Sequence, residues 1–502
     1  MHITVTFYKK YSFLAKLSAC FNKFPLYYSV KSNLTKSRHN SVVLLFTFTS
    51  IVIAGCSKDE AEPKPSADFI ISTPNPVIGE QVYFTSSSQN GVTYKWTSAS
   101  ASFSSAQQNP RFIFSKAGTY QITLEVSGQG GKTTVNKTLQ VTQPADAGGI
   151  AAVDQAMIEF MNKYSVPGMA VAITKEGKLI YKKGYGDANM LTHEKATPDH
   201  LFRIASVSKT ITSVAIMKLI QEGKLSMDDR VFGPLGILGT QYGTLPYKTD
   251  IENIKVRHLL QHTGGGWGNS ANDPMFIFSV IDYNPGQLIS YVLDNIPLKN
   301  KPGMVYEYSN FGYCILARII EKITGKTYEE YVKESVFTPI GVNNAFIAGN
   351  TLQEKKNTEV IYYNQDADIN ISPYSKQVSA SRLDASAGWI ISPKDMAKFL
   401  VSVDGFATKP DILGLPALSL MTETSAANSY YASGWQVNQN NDWWHSGSLV
   451  GTATLAVRAN NGFCWVVFAN TRSLKSTFTI DMDKMMWNLN QQSISWPTED
   501  LF

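Results

Sequence analysis

The chain has 502 residues, 43% of them hydrophobic, which is more than one ordinary domain holds and too apolar for a disordered protein. Its net charge of +5 comes from one end: residues 1–55 carry seven Lys or Arg and no acid, so of the 45 basic residues 38 remain against all 40 Asp and Glu. A basic excess confined to a terminal segment points to targeting and excludes a nucleic-acid-binding surface as its cause.

Taken in chain order, Lys31, Lys36 and Arg38 precede an apolar run from Val42 to Ala54 that ends Ile53-Ala54-Gly55-Cys56. The run is too short to span a bilayer and suits a signal-peptide core. Its end resembles a bacterial lipobox, which implies that residues 1–55 are removed, that Cys56 is acylated, and that the mature protein is a membrane-held lipoprotein of the cell envelope, facing the periplasm or the surface. Ser57-Lys58-Asp59-Glu60 resembles the acidic signal that sends some envelope lipoproteins to the cell surface. Residues 56–66 read as a polar tether containing prolines.

Residues 67–143 change to short alternating strands between turn residues: Gln81-Val82-Tyr83-Phe84, Thr93-Tyr94-Lys95-Trp96, Arg111-Phe112-Ile113-Phe114 and Tyr120 to Val126. This pattern predicts a small immunoglobulin-like β-sandwich with Trp96 in its core. Asp68-Phe69, Pro76 to Glu80, Tyr94-Lys95-Trp96 and Ala117-Gly118-Thr119-Tyr120 resemble the PKD family. That resemblance implies a spacer or a contact with an envelope glycan or protein.

After a small-residue linker from Pro144 to Gly149, residues 150–495 read as a larger α/β domain. A helix is expected over 151–164, then a hairpin of Met169–Thr174 and Leu179–Lys183. The chain ends with strands Thr452–Arg458 and Phe463–Ala469 and a helix near 480–490. Strands at both ends of a helical middle predict one antiparallel sheet built from both ends, flanked by helices, with a helical insertion. Cys20 falls in the leader. Cys314 and Cys464 lie in apolar runs and are expected as buried free thiols, although an oxidising envelope would let them pair. The seven histidines show no metal-ligand spacing, and no cofactor is implied.

Ser206-Val207-Ser208-Lys209 carries the chemistry. A serine hydroxyl attacks a carbonyl only when a base takes its proton, and residues three apart share one helix face. The run from Thr210 to Ile220 predicts a buried helix closed by Gly223, with Ser206 in its first turn, where free N–H groups favour an oxyanion. Tyr-x-Asn occurs twice as a candidate second element. Tyr308-Ser309-Asn310 has a helix behind it, whereas Tyr362-Tyr363-Asn364 runs into a polar stretch; the first is chosen. His-x-Gly also occurs twice. His262 closes a segment before a glycine turn and reads as a loop-fixing residue. His445-Ser446-Gly447 opens onto a buried strand, where Ser448 N–H can serve as a second oxyanion donor beside that of Ser206.

Ser206-x-x-Lys209, Tyr308-Ser309-Asn310 and His445-Ser446-Gly447 stand in the order of the penicillin-recognising serine hydrolases, which include class C β-lactamases, DD-peptidases and related esterases. Val166 to Ala172, Leu201 to Ala205, Gly223 to Ser226 and His258 to Gly264 are similar too. The resemblance implies a β-lactamase/transpeptidase-like fold and an acyl-enzyme. Ser206 would attack, Lys209 and Tyr308 would move protons, Asn310 would position substrate or lysine, and His445 and Gly447 would line the opposite wall. Class C β-lactamases carry Lys-Thr-Gly at the third motif, so His445 favours a D-amino-acid peptide or an ester over a β-lactam. If His445 anchors a carboxylate as a cation, activity on anionic substrates should rise as pH drops towards 6. Trp267, Trp389, Trp435 and Trp443 read as core by default. Two other readings are an esterase on a small non-β-lactam substrate and, in another class, a non-catalytic envelope-binding protein; the intact set of reactive residues argues against the latter.

Overall fold

A computed structural model describes residues 62–143, 149–268, 273–365 and 372–502. The leader, the lipobox and Cys56 lie outside the described residues. No described helix is long and apolar enough to cross a membrane.

The first strands are β1 Phe69–Ile71, β2 Gln81–Ser86, β3 Thr93–Ser98, β4 Phe103–Ser105, β5 Arg111–Ile113, β6 Gly118–Gly128 and β7 Gly131–Val141. They form one sheet in the order β1-β2-β5 and another in the order β4-β3-β6-β7. Alternation along each strand sends Phe69, Val82, Phe84, Trp96, Ile122 and Leu124 into one buried core. The polar edge of Trp96 is satisfied there, since its Nε1 donates to Gln107 O at 2.9 Å.

The larger domain begins with α1 Ala151–Tyr164, then β8 Gly168–Lys175, β9 Lys178–Asn189 and β10 Glu194–Lys195. The tight β8–β9 turn needs two left-handed residues and has them at Glu176 (φ +49°) and Gly177 (φ +75°). β11 Phe202–Arg203 leads into α2 Ser208–Gln221. The helical middle holds α3 Val256–Leu260, α4 Pro285–Asn295, α5 Asn310–Thr324 and α6 Tyr328–Val332. Then come β12 Phe346–Ile347, β13 Tyr363–Asn364, α7 Ala380–Ala387, β14 Trp389–Ile391, α8 Pro393–Val401 and α9 Leu415–Thr422. The chain closes with β15 Gln436–Val437, β16 Trp443–Leu449, β17 Thr452–Arg458, β18 Phe463–Ala469, β19 Thr471–Arg472 and α10 Thr477–Gln491.

The main sheet runs β10-β9-β8-β18-β17-β16-β15 and is antiparallel throughout. β8 from the start of the domain pairs with β18 from its end, in the register Val171↔Val467, so the sheet is built from both ends. Its two faces differ in residue size. Met169, Val171, Ile173, Leu455, Val457, Trp465 and Val467 meet α1 and α10 on one side. Ala170, Ala172, Ala456, Val466 and Phe468 face the layer that holds α2 and α8, where small residues let helices approach closely. Both faces are covered, which is why β18 reads as an unbroken apolar run and β17 is buried along its whole length. Cys314 and Cys464 are buried free thiols, and Trp267, Trp389, Trp435 and Trp443 all pack in the core.

The sandwich docks on this domain through β5. Phe112 and Phe114 face the sandwich, while Ile113 between them joins the α1/α10 core. Asn162 of α1 treats the strand as a ladder partner. Its Nδ2 donates to Ile113 O at 2.8 Å and its Oδ1 accepts from Ile113 N–H at 3.1 Å. Nearby, the Tyr83 hydroxyl donates to the fully buried Asp187, which Lys195 also pairs at 3.0 Å. Asn162→Ala would strand both polar groups of Ile113 and should weaken this junction by about 1–3 kcal/mol. Hydrogen exchange of the Ile113 amide should accelerate and the urea midpoint should fall; an amide as protected as in the wild type would reject the ladder role.

Candidate active site

The chain enters the site from β11, which is held by β14 in the register Arg203↔Ile390. Ala205 then adopts φ +48°, and Ala205–Val207 make one 3₁₀ turn before α2 begins at Ser208. Ser206 therefore sits in the turn just before the helix, not in its first turn. A left-handed alanine costs about 1 kcal/mol or more. Its neighbours hold it there: Thr452 Oγ1 donates to Arg203 O and Thr454 Oγ1 to Ile204 O, both at 2.8 Å.

Lys209 follows on the same face and is completely buried. Its Nζ donates to Asn310 Oδ1 at 2.7 Å and to Ser386 O at 2.9 Å, and lies 3.3 Å from Ser206 Oγ. The two shorter contacts go to carbonyl oxygens, which only accept. The remaining tetrahedral direction of the nitrogen points at Ser206, as an N–H when the amine is charged and as a lone pair when it is neutral. Burial lowers the lysine pKa to about 7, opposed by the charge of Asp273.

Tyr308 and Asn310 arrive together. Ser309 caps α5, its hydroxyl accepting from Gly312 N–H at 3.0 Å, and this turns both flanking side chains onto the lysine. Lys209 Nζ lies 4.7 Å from the centre of the Tyr308 ring. Burial pushes the Tyr308 phenol far above its ordinary pKa, with the Ser206 hydroxyl acting in the opposite direction. The phenol is thus held protonated at neutral pH, not as a resting phenolate. His262 fixes this loop: its Nδ1 accepts from Ser309 N–H at 3.1 Å, and its ring lies 4.3 Å from that of Tyr308. The rival Tyr362 is occupied elsewhere, its hydroxyl accepting from Arg203 N–H and donating to Glu359, both at 2.8 Å.

The opposite wall is β16. A Cβ on Gly447 would collide with Ile204 O and Thr454 Oγ1, so only glycine lets this strand lie against the nucleophile turn. That contact brings Ser448, paired with Ala453 in the ladder, next to the turn that carries Ser206. His445 is buried behind the same strand. Its Nδ1 donates to Ser446 O at 2.6 Å, which leaves Nε2 to accept from the Tyr431 hydroxyl at 3.1 Å. Burial, reinforced by the charge of Lys209, lowers its pKa to about 3. The expectation that His445 gains a charge as pH drops towards 6 is therefore corrected: it is a neutral, hydrogen-bonded wall residue across that range.

One residue escaped the sequence reading. Asp273, 2% exposed, accepts from Asn310 N–H at 2.7 Å, Asn310 Nδ2 at 3.1 Å and Met275 N–H at 3.0 Å. In sequence, Asp273-Pro274 looks like any turn. Nothing local reveals that its carboxylate stands behind the lysine's amide partner.

This arrangement has known relatives. The Beta-lactamase family matches residues 153–482, and the PKD domain matches residues 69–141. The chain belongs to the Beta-lactamase family. Protein flp of Staphylococcus aureus (strain NCTC 8325 / PS 47) is 26% identical over 355 residues, which cover 68% of this chain and 66%, just under two thirds, of that protein. The D-amino acid amidase of Ochrobactrum anthropi SV3 shares the fold with a TM-score of 0.54 at 20% identity, covering 68% of this chain and 97% of the amidase. A Beta-Lactamase/D-Alanine Carboxypeptidase from Pseudomonas syringae also has a TM-score of 0.54, at 19% identity, covering 68% and 98% of the two chains.

For this Beta-lactamase-family chain the geometry makes Gly447 the most size-restricted position of the wall. Gly447→Ala should push β16 away from the nucleophile turn and cost roughly 10²-fold or more in kcat/KM through the displaced Ser448 N–H. Its thermal unfolding midpoint should fall as well, because the Cβ meets the backbone carbonyl of Ile204. A variant with wild-type turnover would separate β16 from oxyanion binding.

Proposed function

We propose that this chain is a lipid-anchored serine hydrolase that works through an acyl-enzyme on an amide or ester. The observation that carries the reading is the buried amine, 3.3 Å from Ser206 Oγ and with a pKa near 7. At neutral pH a large fraction of this lysine is uncharged and able to accept a proton.

The steps follow from the contacts. Ser206 Oγ attacks the carbonyl carbon as its proton passes to Lys209 Nζ. The oxyanion forms at the Ser206 and Ser448 N–H groups. Tyr308, close to both Ser206 and Lys209, relays the proton to the leaving nitrogen or oxygen. Water then enters, gives a proton back along the same path, and releases the acid and the free serine. Asn310 acts here on the lysine, since its oxygen receives Nζ.

The neutral His445 bears on the substrate. It offers no permanent cation to a carboxylate, which supports a D-amino-acid amide or a neutral ester over a β-lactam. The names of the amidase and carboxypeptidase neighbours agree with a D-amino-acid amide. An esterase on a small neutral substrate is the second reading, favoured by the same uncharged wall. The sandwich would serve as a spacer or envelope contact, with Cys56 as the lipid anchor.

Ser206→Ala should stay folded, losing under about 2 kcal/mol, and should lose all labelling by a serine-directed phosphonate, followed by mass spectrometry. A label retained in the variant would sink the assignment. In the wild type, kcat/KM should rise with pH through about 7, because deprotonating Lys209 creates the base. The ratio of kcat/KM for an anionic and a neutral ester should stay flat from about pH 6 to pH 8, because His445 does not titrate there; a rise on acidification would restore it as a cationic anchor. Cys56→Ala expressed in a lipoprotein-competent bacterium should leave the detergent phase, and a variant that still partitions there would rule out acylation as the anchor.

A further inference from the structure

We propose that Asp273 is a positioning residue of this site: it locks the Asn310 amide with its oxygen towards Lys209 and stands as the fixed negative charge behind the serine–lysine pair. The inference rests on the hydrolase reading above and adds a group to it.

An ionised carboxylate only accepts hydrogen bonds, so the edge of Asn310 that faces Asp273 must present donors. It does, with the backbone N–H at 2.7 Å and Nδ2 at 3.1 Å. The amide oxygen is thereby forced to the other side, where it receives Lys209 Nζ at 2.7 Å. A turned amide would set its oxygen against the carboxylate and an NH₂ group against the amine. Met275 N–H, donating at 3.0 Å, fixes the carboxylate in turn.

The second part of the role is charge. The groups facing Lys209 are Asp273, Asn310, Tyr308 and Tyr313 from α5 and the loop before it, the Ser386 carbonyl from α7, His262 from the glycine turn and His445 from β16. Both histidines are kept neutral by burial and the phenols are held protonated. Asp273 is the one whose charge raises the lysine pKa. Burial moves the Asp273 carboxyl up to about 6, against its backbone hydrogen bonds. Above that pH it is ionised, and it holds the lysine near 7 where burial alone would take it lower.

The test is the rate of inactivation of the full chain by a neutral phosphonate fluoride, measured against pH. In the wild type the rate should rise through a midpoint near 7. In Asp273→Asn the amine loses its negative neighbour, so the midpoint should move to lower pH by roughly half a unit or more. The plateau rate should fall at least about tenfold as Asn310 loses an acceptor. Asp273→Glu keeps the charge but displaces it; it should keep the midpoint and still lose rate. An Asp273→Asn midpoint equal to that of the wild type, or a Glu variant as fast as the wild type, overturns the proposal. Thermal unfolding monitors the fold, and if the Asn variant does not fold, the Glu variant carries the test alone. A wild-type protein that takes no phosphonate on Ser206 removes the hydrolase reading and this one together, a result distinct from a labelled wild type with unmoved variants.

Discussion

The constraint on which the site depends is the burial of one amine. A lysine taken wholly out of water loses several kcal/mol of solvation as a cation, and it persists only if its N–H groups find acceptors. Lys209 finds two carbonyl oxygens, one from the start of α5 and one from the end of α7. These acceptors stand about one hundred and nearly two hundred residues away in sequence, so the serine–lysine pair becomes chemically useful only once the helical middle has packed on α2. Local geometry brings Lys209 to Ser206, and tertiary structure lowers its pKa towards neutrality. The same desolvation acts on every titratable neighbour. It keeps Tyr308 protonated and holds His262 and His445 neutral. Burial therefore sets the lysine near neutrality and leaves its surroundings uncharged, except for the carboxylate of Asp273.

The sheet supplies the second condition, which is a rigid frame on the other side of Ser206. The nucleophile turn is strained at Ala205, and two threonines of β17 hold the preceding carbonyls while Gly447 of β16 lies against the turn. β16 and β17 come from the end of the chain and α2 from its earlier part. Pairing β8 with β18 joins these two parts into one sheet. The antiparallel sheet built from both ends is thus what brings β16 against the turn of a serine nearly 250 residues earlier.

Much of this was legible because local rules governed it. The i, i+3 spacing placed Lys209 beside Ser206, and the 3₁₀ turn that carries Ser206 into α2 keeps them together at 3.3 Å. The helical run behind Tyr308-Ser309-Asn310 separated Tyr308 from Tyr362, and the structure has α5 there. Thr452–Arg458 and Phe463–Ala469 read as strands, and the structure has β17 and β18 over the same residues. What stayed hidden was set by distant neighbours. The strand reading of Arg111 to Phe114 held for Arg111–Ile113, but that Ile113 faces another domain depends on Asn162. The charge of His445 depends on burial beside Tyr431 and Lys209, and an unperturbed pKa was the wrong starting point for it. Ser206 lies ahead of the helix because the chain must reverse at Ala205, and no propensity marks alanine for a left-handed conformation. Asp273 was invisible because a carboxylate before proline has a sufficient local explanation as a turn.

The neutral histidine carries one more consequence for how this wall works. A lysine at that position would place a second permanent cation near Lys209. Two like charges in a dry pocket raise the cost of protonating either, so a wall cation would depress the base further and would need compensation nearby. With His445 uncharged, that pressure is absent, and the pKa of Lys209 is set by burial on one side and a carboxylate on the other. The tautomer follows from the same contacts: the Ser446 carbonyl takes the proton on Nδ1, and Nε2 faces a tyrosine hydroxyl. His445 thereby ties β16 to Tyr431, whose ring also packs on His262 at 4.7 Å. The wall and the loop that delivers Tyr308 are thus linked through a buried aromatic cluster, and the third motif contributes order here where a lysine would contribute charge.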